Sequence, residues 1–418
     1  MKGRPPKWKK LLDDPEVQRW HDQLALGSIN TAEERIRVLG RFCELNRTTP
    51  AKLAALGKDV NGGRRAVEDM LMDFVGRLTK QKKSPGYIEN YVKSVKSWLL
   101  HNGVALVRKI RVGDAKATPS LENERIPHRE ELHGAIMVAS DRGKVEIALC
   151  AFSGVRPEVQ GDKKGTDGLR LRDIPDLKIR EGRVAFTNIP ARVIVRKNLS
   201  KIKRPYFTFA GHQSCGYIRA YLERRMAQGE ALGPDSPVVR VEINRERQGR
   251  PVDGSAHGSA FLTTSGITKD VRAALRTQKP EDGAREFRPY ILRSVFDTCL
   301  EMAQREGKIT DDDRKFMMGR AGCIDRVYTT GKAILPPDVI EQMRKEYAEC
   351  TPYLETVAPP PGISVTSEQD QRVDELLERI NRLERAVERA AVGKLEELGA
   401  RTAAEELRRL GEAGSRRR

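Results

Sequence analysis

The stretch 311–332, DDDRKFMMGRAGCIDRVYTTGK, decides the reading of this chain. A short helical pattern over 311–318 stops at the turn Met318-Gly319, and Tyr328 follows those two residues by ten and nine positions. Upstream, Arg293 lies 35 residues before Tyr328, in PYILRSVFDT. It sits among Ile291, Leu292, Val295 and Phe296, where a guanidinium is an awkward core group unless something pairs with it. Farther upstream, Arg156 stands in AFSGVRPEV, where a buried helix gives way to a loop. Taken singly, Arg156 can cap the last carbonyls of that helix, and Tyr328 can be a core aromatic with a satisfied hydroxyl. Taken together, two guanidiniums and a phenol from distant parts of the chain can meet at one phosphate. Guanidinium suits that task because it stays charged and presents a fixed fork of donors. A phenol, with a pKa of about 10, needs neighbouring cations before it can attack as a phenolate.

Charge points the same way. The chain has 418 residues, and its 77 Lys+Arg against 59 Asp+Glu give a net charge of +18, so a polyanion is the first partner to consider. Acids and bases balance over 366–418, so residues 1–365 carry the whole surplus. The length supports two or three domains with real cores. The longest apolar runs, such as 147–152, fall far short of the roughly 20 residues that cross a bilayer, and no apolar signal region follows the basic start MKGRPPKWKK. Membrane insertion and secretion are therefore excluded and a cytoplasmic location is expected. Six cysteines without a CxxC pair, and six histidines ending at His257, give no zinc site or disulfide framework.

The expected architecture is mainly α with a small antiparallel β-sheet. Residues 1–14 read as an unstructured basic arm, and 15–110 as a helical domain of four or five helices, with starts at Asp14-Pro15, Ser28 and Thr31 and helical periods over 66–78 and 84–100. A polar, aperiodic linker over 111–125 leads to an α+β domain over 126–357. Two helices open that domain, the second buried on most sides. Short β-type segments follow at 183–186, 191–196 and 206–209, read as one small sheet inserted among helices. Helical patterns return at 215–228, 268–277, 290–305, 311–318 and 337–349. The run Pro359-Pro360-Pro361-Gly362 breaks the chain. Beyond it lies a charged helical tail over 366–412, in which Val373, Leu376, Ile380, Leu383, Val387 and Ala390 keep the 3,4 spacing of a short coiled coil. Self-association and a solvated helix both remain open for it.

The succession of SGVR, a lysine between two β-type segments, YILR, and MGR followed by a tyrosine resembles the boxes of the tyrosine recombinases, and is most like those of integrases from archaeal plasmids and viruses. The resemblance spans nearly all of 15–355. It implies an N-terminal core-binding, SAM-like clamp domain, carried by Trp20, Gly27-Ser28 and Thr31, and a tyrosine-recombinase catalytic domain after the linker, the two forming a C-shaped clamp on double-stranded DNA. Carried over by residue, Arg156 and Arg293 would hold the nonbridging oxygens of the scissile phosphate. Tyr328 would be the nucleophile, and a hairpin lysine would protonate the leaving 5′ oxygen. Lys197, Lys201 and Lys203 are the candidates, and Lys201 is preferred because Ser200-Lys201 precedes the Tyr206 strand at the expected distance. Two positions depart from the family: Tyr290 and Arg320 stand where histidines are usual. Tyr290 can still donate to a phosphate oxygen, whereas Arg320 can bind one but cannot accept a proton.

The implied activity is site-specific strand exchange through a 3′-phosphotyrosyl link, in the service of a mobile element, without ATP, metal or small-molecule cofactor. The implied assembly is a homotetramer on DNA, with the segment 337–349 passing to a neighbour. A type IB topoisomerase shares the chemistry and stays open as an alternative. So does a DNA-binding regulator that no longer cleaves, which the replacements Tyr290 and Arg320 would favour.

Overall fold

The computed structural model describes residues 7–113, 124–241, 261–280, 286–320 and 335–357. The chain divides into two compact units, Met1–Glu124 and Arg125–Arg418. Among the described residues, no helix is long and apolar enough to cross a membrane.

The first unit contains α1 (Pro15–Gly27), α2 (Ile29–Leu45), α3 (Pro50–Lys58), α4 (Gly63–Lys80) and α5 (Pro85–His101). Three of these start on the same device. Asp14, Thr49 and Ser84 each turn a side-chain oxygen onto the free amides of the first turn, and each is followed by a proline at the first helical position, where no amide donor is needed. The apolar faces close on one core, in which Trp98 meets Trp20 edge-on at 5.4 Å and donates its indole N–H to the Pro50 carbonyl at 3.0 Å. Glu68 is buried there, and its carboxylate accepts the amides of Val107 and Arg108 at 2.7 and 2.9 Å, which fixes the outgoing chain. The expected unstructured arm needs correction. Lys7–Asp13 forms a 3-10 helix whose Trp8, Leu11 and Leu12 pack against the core. Leu11 lies where a side chain at Gly40 would be, 2.7 Å from a Cβ built there, so the basic composition hid an apolar anchor.

In the second unit, α6 (Arg129–Val138) and α7 (Asp141–Ala151) lead through the 152–156 turn to the short α8 (Pro157–Gln160). Helix α7 is buried on most sides and packs against α9 (His212–Ala227), α10 (Thr264–Leu275) and α11 (Ile291–Arg305). The β segments do not make one sheet. Strands β1 (Leu177–Arg180) and β2 (Arg183–Phe186) pair as one antiparallel hairpin, and β3 (Ala191–Val195) and β4 (Tyr206–Ala210) as another. Asp176 and Pro190 account for the break. Pro190 offers no amide, and the Asp176 carboxylate takes the Arg192 amide at 2.7 Å together with the Asn188 side chain at 2.9 Å. Strand β1 escaped the sequence reading because LKIR carries only two apolar residues.

Helix α12 (Asp311–Met317) and α13 (Pro337–Leu354) complete the unit. The resemblance passes the 337–349 segment to a neighbour, but α13 is integral to its own unit. It buries Ile340, Met343, Tyr347, Cys350 and Leu354, and the Tyr347 hydroxyl donates to the Phe152 carbonyl at 2.6 Å. The proposed coiled-coil tail, 366–412, lies outside the described residues.

Glu355 fastens the end of α13 to the start of α9. Its carboxylate is 2% exposed and accepts the Gln213 amide at 2.8 Å, and it occupies the space a side chain at Gly211 would need. Burial pushes its pKa up to about 7 from 4.5, against the opposing pull of the Gln213 and Ser214 amides and Arg129. A carboxyl raised on folding stabilises fully below its unfolded pKa, and that contribution is lost as pH rises through the folded value. Urea unfolding of the second unit should therefore weaken by about 3 kcal/mol between pH 4.5 and pH 7 from this group. Glu355→Gln should flatten that part of the profile.

Candidate functional site

Arg293 organises the site. It lies in the first turn of α11, is 5% exposed, and donates to the Gly154 carbonyl at 2.5 Å and to the Met318 carbonyl at 2.8 Å. One side chain thus ties together three of the boxes read from the sequence. Gly154 has φ +62°, and the Phe296 ring lies 2.4 Å from where a Cβ would stand. Gly319 repeats the arrangement with φ +59° and the Tyr206 ring at 2.6 Å. Only glycine combines that backbone with that close an approach.

Arg156 follows the Gly154 turn, immediately before α8. Among the described residues, no hydrogen bond joins it to the last carbonyls of α7. Its Nε is buried without an acceptor, and its charge acts on Arg293 and on Tyr206. Neither arginine has a carboxylate partner among the described residues. Burial first, and then the charge of Arg156, pull the Arg293 pKa below its ordinary value, with Tyr206, Tyr290 and Cys150 pulling weakly the other way. Two adjacent guanidiniums, one buried and neither with a carboxylate among the described residues, are chemically suited to an anion. The thiol of Cys150 nearby is pushed up to about 12 by burial, so it is a packing group and no nucleophile.

The other sequence candidates fall differently. Tyr290 is the N-cap residue of α11, 48% exposed, and its hydroxyl contributes to the field at Arg293. Arg320 follows Gly319 but turns to α11, where Asp297 accepts its Nη1 at 2.8 Å. Lys197, Lys201 and Lys203 all lie exposed in the loop between β3 and β4. No contact with the arginine pair singles out Lys201. The start of this loop is firmly held. Arg196 donates to Asp173 at 3.0 Å, to Asp167 at 2.9 and 3.0 Å, and to the Gly168 carbonyl at 2.6 Å, while Asn198 reaches Asp167 at 2.5 Å. Burial opposes ionisation of Asp167, but Arg196, the Gly168 amide and Arg170 outweigh it and hold the carboxyl at about 2. Tyr328 lies outside the described residues.

Sequence reasoning missed three groups here. Tyr206 was read only as the start of a strand. Asp297 stands one helical turn after Arg293, a spacing that puts both on one face of α11 and could have been noticed. Asp167 and Asp173 sit in a loop with no periodicity, and nothing in the sequence ties them to Arg196.

No protein-family model and no curated protein matches the sequence. Solved structures do match in architecture. A XerA recombinase is 14% identical with a TM-score of 0.32, covering 79% of this chain and 96% of its own. The integrase of mycobacterium phage Brujita is 15% identical with a TM-score of 0.33, covering 83% of this chain and 95% of its own. The Tn1549 transposon integrase, solved in complex with transposon right-end DNA, is 13% identical with a TM-score of 0.42, covering 78% of this chain and 97% of its own. At such identities and scores these are likenesses of architecture, not of site.

Gly154 gives the direct test of how the site is held. Gly154→Ala forces a side chain into a left-handed backbone and against the Phe296 ring, which should cost about 3 kcal/mol. Urea denaturation of the second unit should show that loss, and an unchanged midpoint would mean that the turn can relax without Arg293.

Proposed function

We propose that this chain is a tyrosine-type site-specific DNA recombinase. The observation that carries the proposal is the arginine pair: Arg293, buried, joins the Gly154 and Met318 turns beside Arg156, and neither has a carboxylate among the described residues. In this reading the two guanidiniums hold the nonbridging oxygens of the scissile phosphate and stabilise the charge that develops there. The Tyr328 oxygen bonds to phosphorus, and its proton passes to water because no arginine can accept it. The bond from phosphorus to the 5′ oxygen breaks, and Lys201 protonates that leaving group. The resulting 3′-phosphotyrosyl link conserves the bond energy until the 5′ hydroxyl of a partner strand attacks it, so ATP has no role.

The finer reading is a recombinase that integrates or excises a mobile element, most like the integrases of archaeal plasmids and viruses in its boxes. It would act on double-stranded DNA as a homotetramer, in the cytoplasm at the nucleoid, with the N-terminal helical unit also gripping the duplex. The +18 charge supports that partner. One observation favours a second reading, a DNA-binding relative that no longer cleaves. Arg320 is engaged by Asp297, and no histidine stands in its place.

A nicked suicide substrate separates the two. A binding site selected from random duplex DNA, then nicked beside the scissile phosphate, should trap a covalent adduct on a denaturing gel. The adduct should vanish in Tyr328→Phe and in Arg293→Ala, whereas DNA affinity should survive the tyrosine change and fall steeply with salt. No adduct on the selected site, or one that survives Tyr328→Phe, overturns the recombinase reading.

A further inference from the structure

We propose that Tyr206 is a third ligand of the phosphate held by Arg156 and Arg293, its buried hydroxyl donating a hydrogen bond to a nonbridging oxygen. This rests on the arginine pair being the scissile-phosphate site.

Tyr206 opens β4, directly after the loop with the three lysines, and is 4% exposed. Its ring is fixed by the Gly319 turn, whose missing side chain leaves room for Cε1 and Cζ at 2.6 and 2.7 Å from the Cβ position. Cζ carries the hydroxyl, so the same turn that Arg293 holds also sets where the hydroxyl stands. That hydroxyl faces both guanidiniums yet makes no well-formed hydrogen bond to any described residue.

Both neighbours are pure donors, so the hydroxyl can offer them only lone pairs, and its own hydrogen has no acceptor among the described residues. The Nε of Arg156 is likewise a buried donor without an acceptor among the described residues, a state shared by the Nε of Arg192; what sets Arg156 apart is its place beside Arg293 and the Tyr206 hydroxyl. Buried polar groups tend to find partners, and a single species satisfies both of these while offsetting part of the pair's charge: a tetrahedral oxyanion. A phosphodiester presents two nonbridging oxygens with lone pairs enough for two guanidiniums and one hydroxyl. Burial holds the phenol protonated against the pull of Arg293 and Arg156, which suits a donor and not a nucleophile. Tyr206 therefore forms and breaks no covalent bond. It supplies one more fixed dipole where negative charge grows in the transition state.

Tyr206→Phe keeps the ring against Gly319 and removes only the donor. Two measurements on the full chain test it. In calorimetry with inorganic phosphate, the parent should bind, Arg293→Ala should not, and Tyr206→Phe should bind about 10-fold more weakly. In single-turnover adduct formation on the nicked duplex, Tyr206→Phe should be slowed about 10- to 100-fold at unchanged DNA affinity and unfolding midpoint. A methylphosphonate replacing the contacted oxygen should slow the parent by a larger factor than it slows Tyr206→Phe, whose remaining loss comes from the arginines.

Equal phosphate binding and equal cleavage in parent and Tyr206→Phe overturn the proposal and leave the recombinase reading standing. An adduct that survives Tyr328→Phe and disappears in Tyr206→Phe overturns it too, by making Tyr206 the nucleophile. A parent that forms no adduct but binds phosphate through Arg293 and Tyr206 refutes recombination while upholding the ligand. If the parent does neither, both readings fall together.

Discussion

The two hydrogen bonds from Arg293 to the Gly154 and Met318 carbonyls are the constraint around which the second unit is arranged. They hold two turns that are built alike. Each places a glycine at positive φ and sets an aromatic ring where its side chain would be, Phe296 at Gly154 and Tyr206 at Gly319. The rings belong to α11 and β4, so the turns are locked to a core helix and a core strand. Arg156, which follows the first turn, and Arg320, which follows the second, take their positions from this frame. Positions of reacting groups matter at the level of an ångström, and turns held by buried hydrogen bonds and ring contacts supply that rigidity where free loops could not.

What makes the arrangement chemical, and not only structural, is how the other arginines of the same unit are treated. Arg225 is 2% exposed, more deeply buried than Arg293, and meets Glu230 at 2.6 Å. Arg344 has Asp176 and Glu341, and Arg196 has Asp167 and Asp173. This follows the general rule that a buried charge is paired. Arg293 breaks it beside a second unpaired guanidinium, and the cost appears as a pKa pulled downward by burial and by like charge. Among the described residues, Arg156 and Arg293 instead stand side by side without a carboxylate, an arrangement that suits the proposed phosphate.

Much of this was legible in the sequence, and the limits have physical causes. Arg293 could be picked out because a guanidinium in PYILRSVFDT contradicts its apolar surroundings, whereas Arg156, at a helix end, stood out only through the succession of motifs it belongs to. Helix starts were legible from capping residues. Strand β1 and the division into two hairpins were not, because they depend on a single carboxylate, Asp176, that reaches across a turn to the Arg192 amide. Tyr206 was hidden for a related reason. In PYFTFA it is one aromatic among apolar neighbours on a wholly buried strand, and only the close approach of Gly319 singles out its hydroxyl. The arm was misread in the opposite sense, since its lysines outweighed the spacing of Trp8, Leu11 and Leu12.

Arg320 shows how a replaced residue can keep a place in the chemistry. Asp297, one turn along α11 from Arg293, accepts Arg320 at 2.8 Å and Arg314 at 3.3 Å. Because that carboxylate has two cationic partners, departure of Arg320 toward a phosphate would leave it paired and would strand no charge. The pair is also half-open to solvent, with the Arg320 side chain 50% exposed, and ion pairs of that kind contribute only about 0–1 kcal/mol. Moving Arg320 from Asp297 to a phosphate would therefore exchange one weak, half-exposed ion pair for a contact with another monoanion at little cost. In the proposed site, lack of a base at this position is separate from lack of a phosphate ligand, and Arg320 could supply the ligand though not the base.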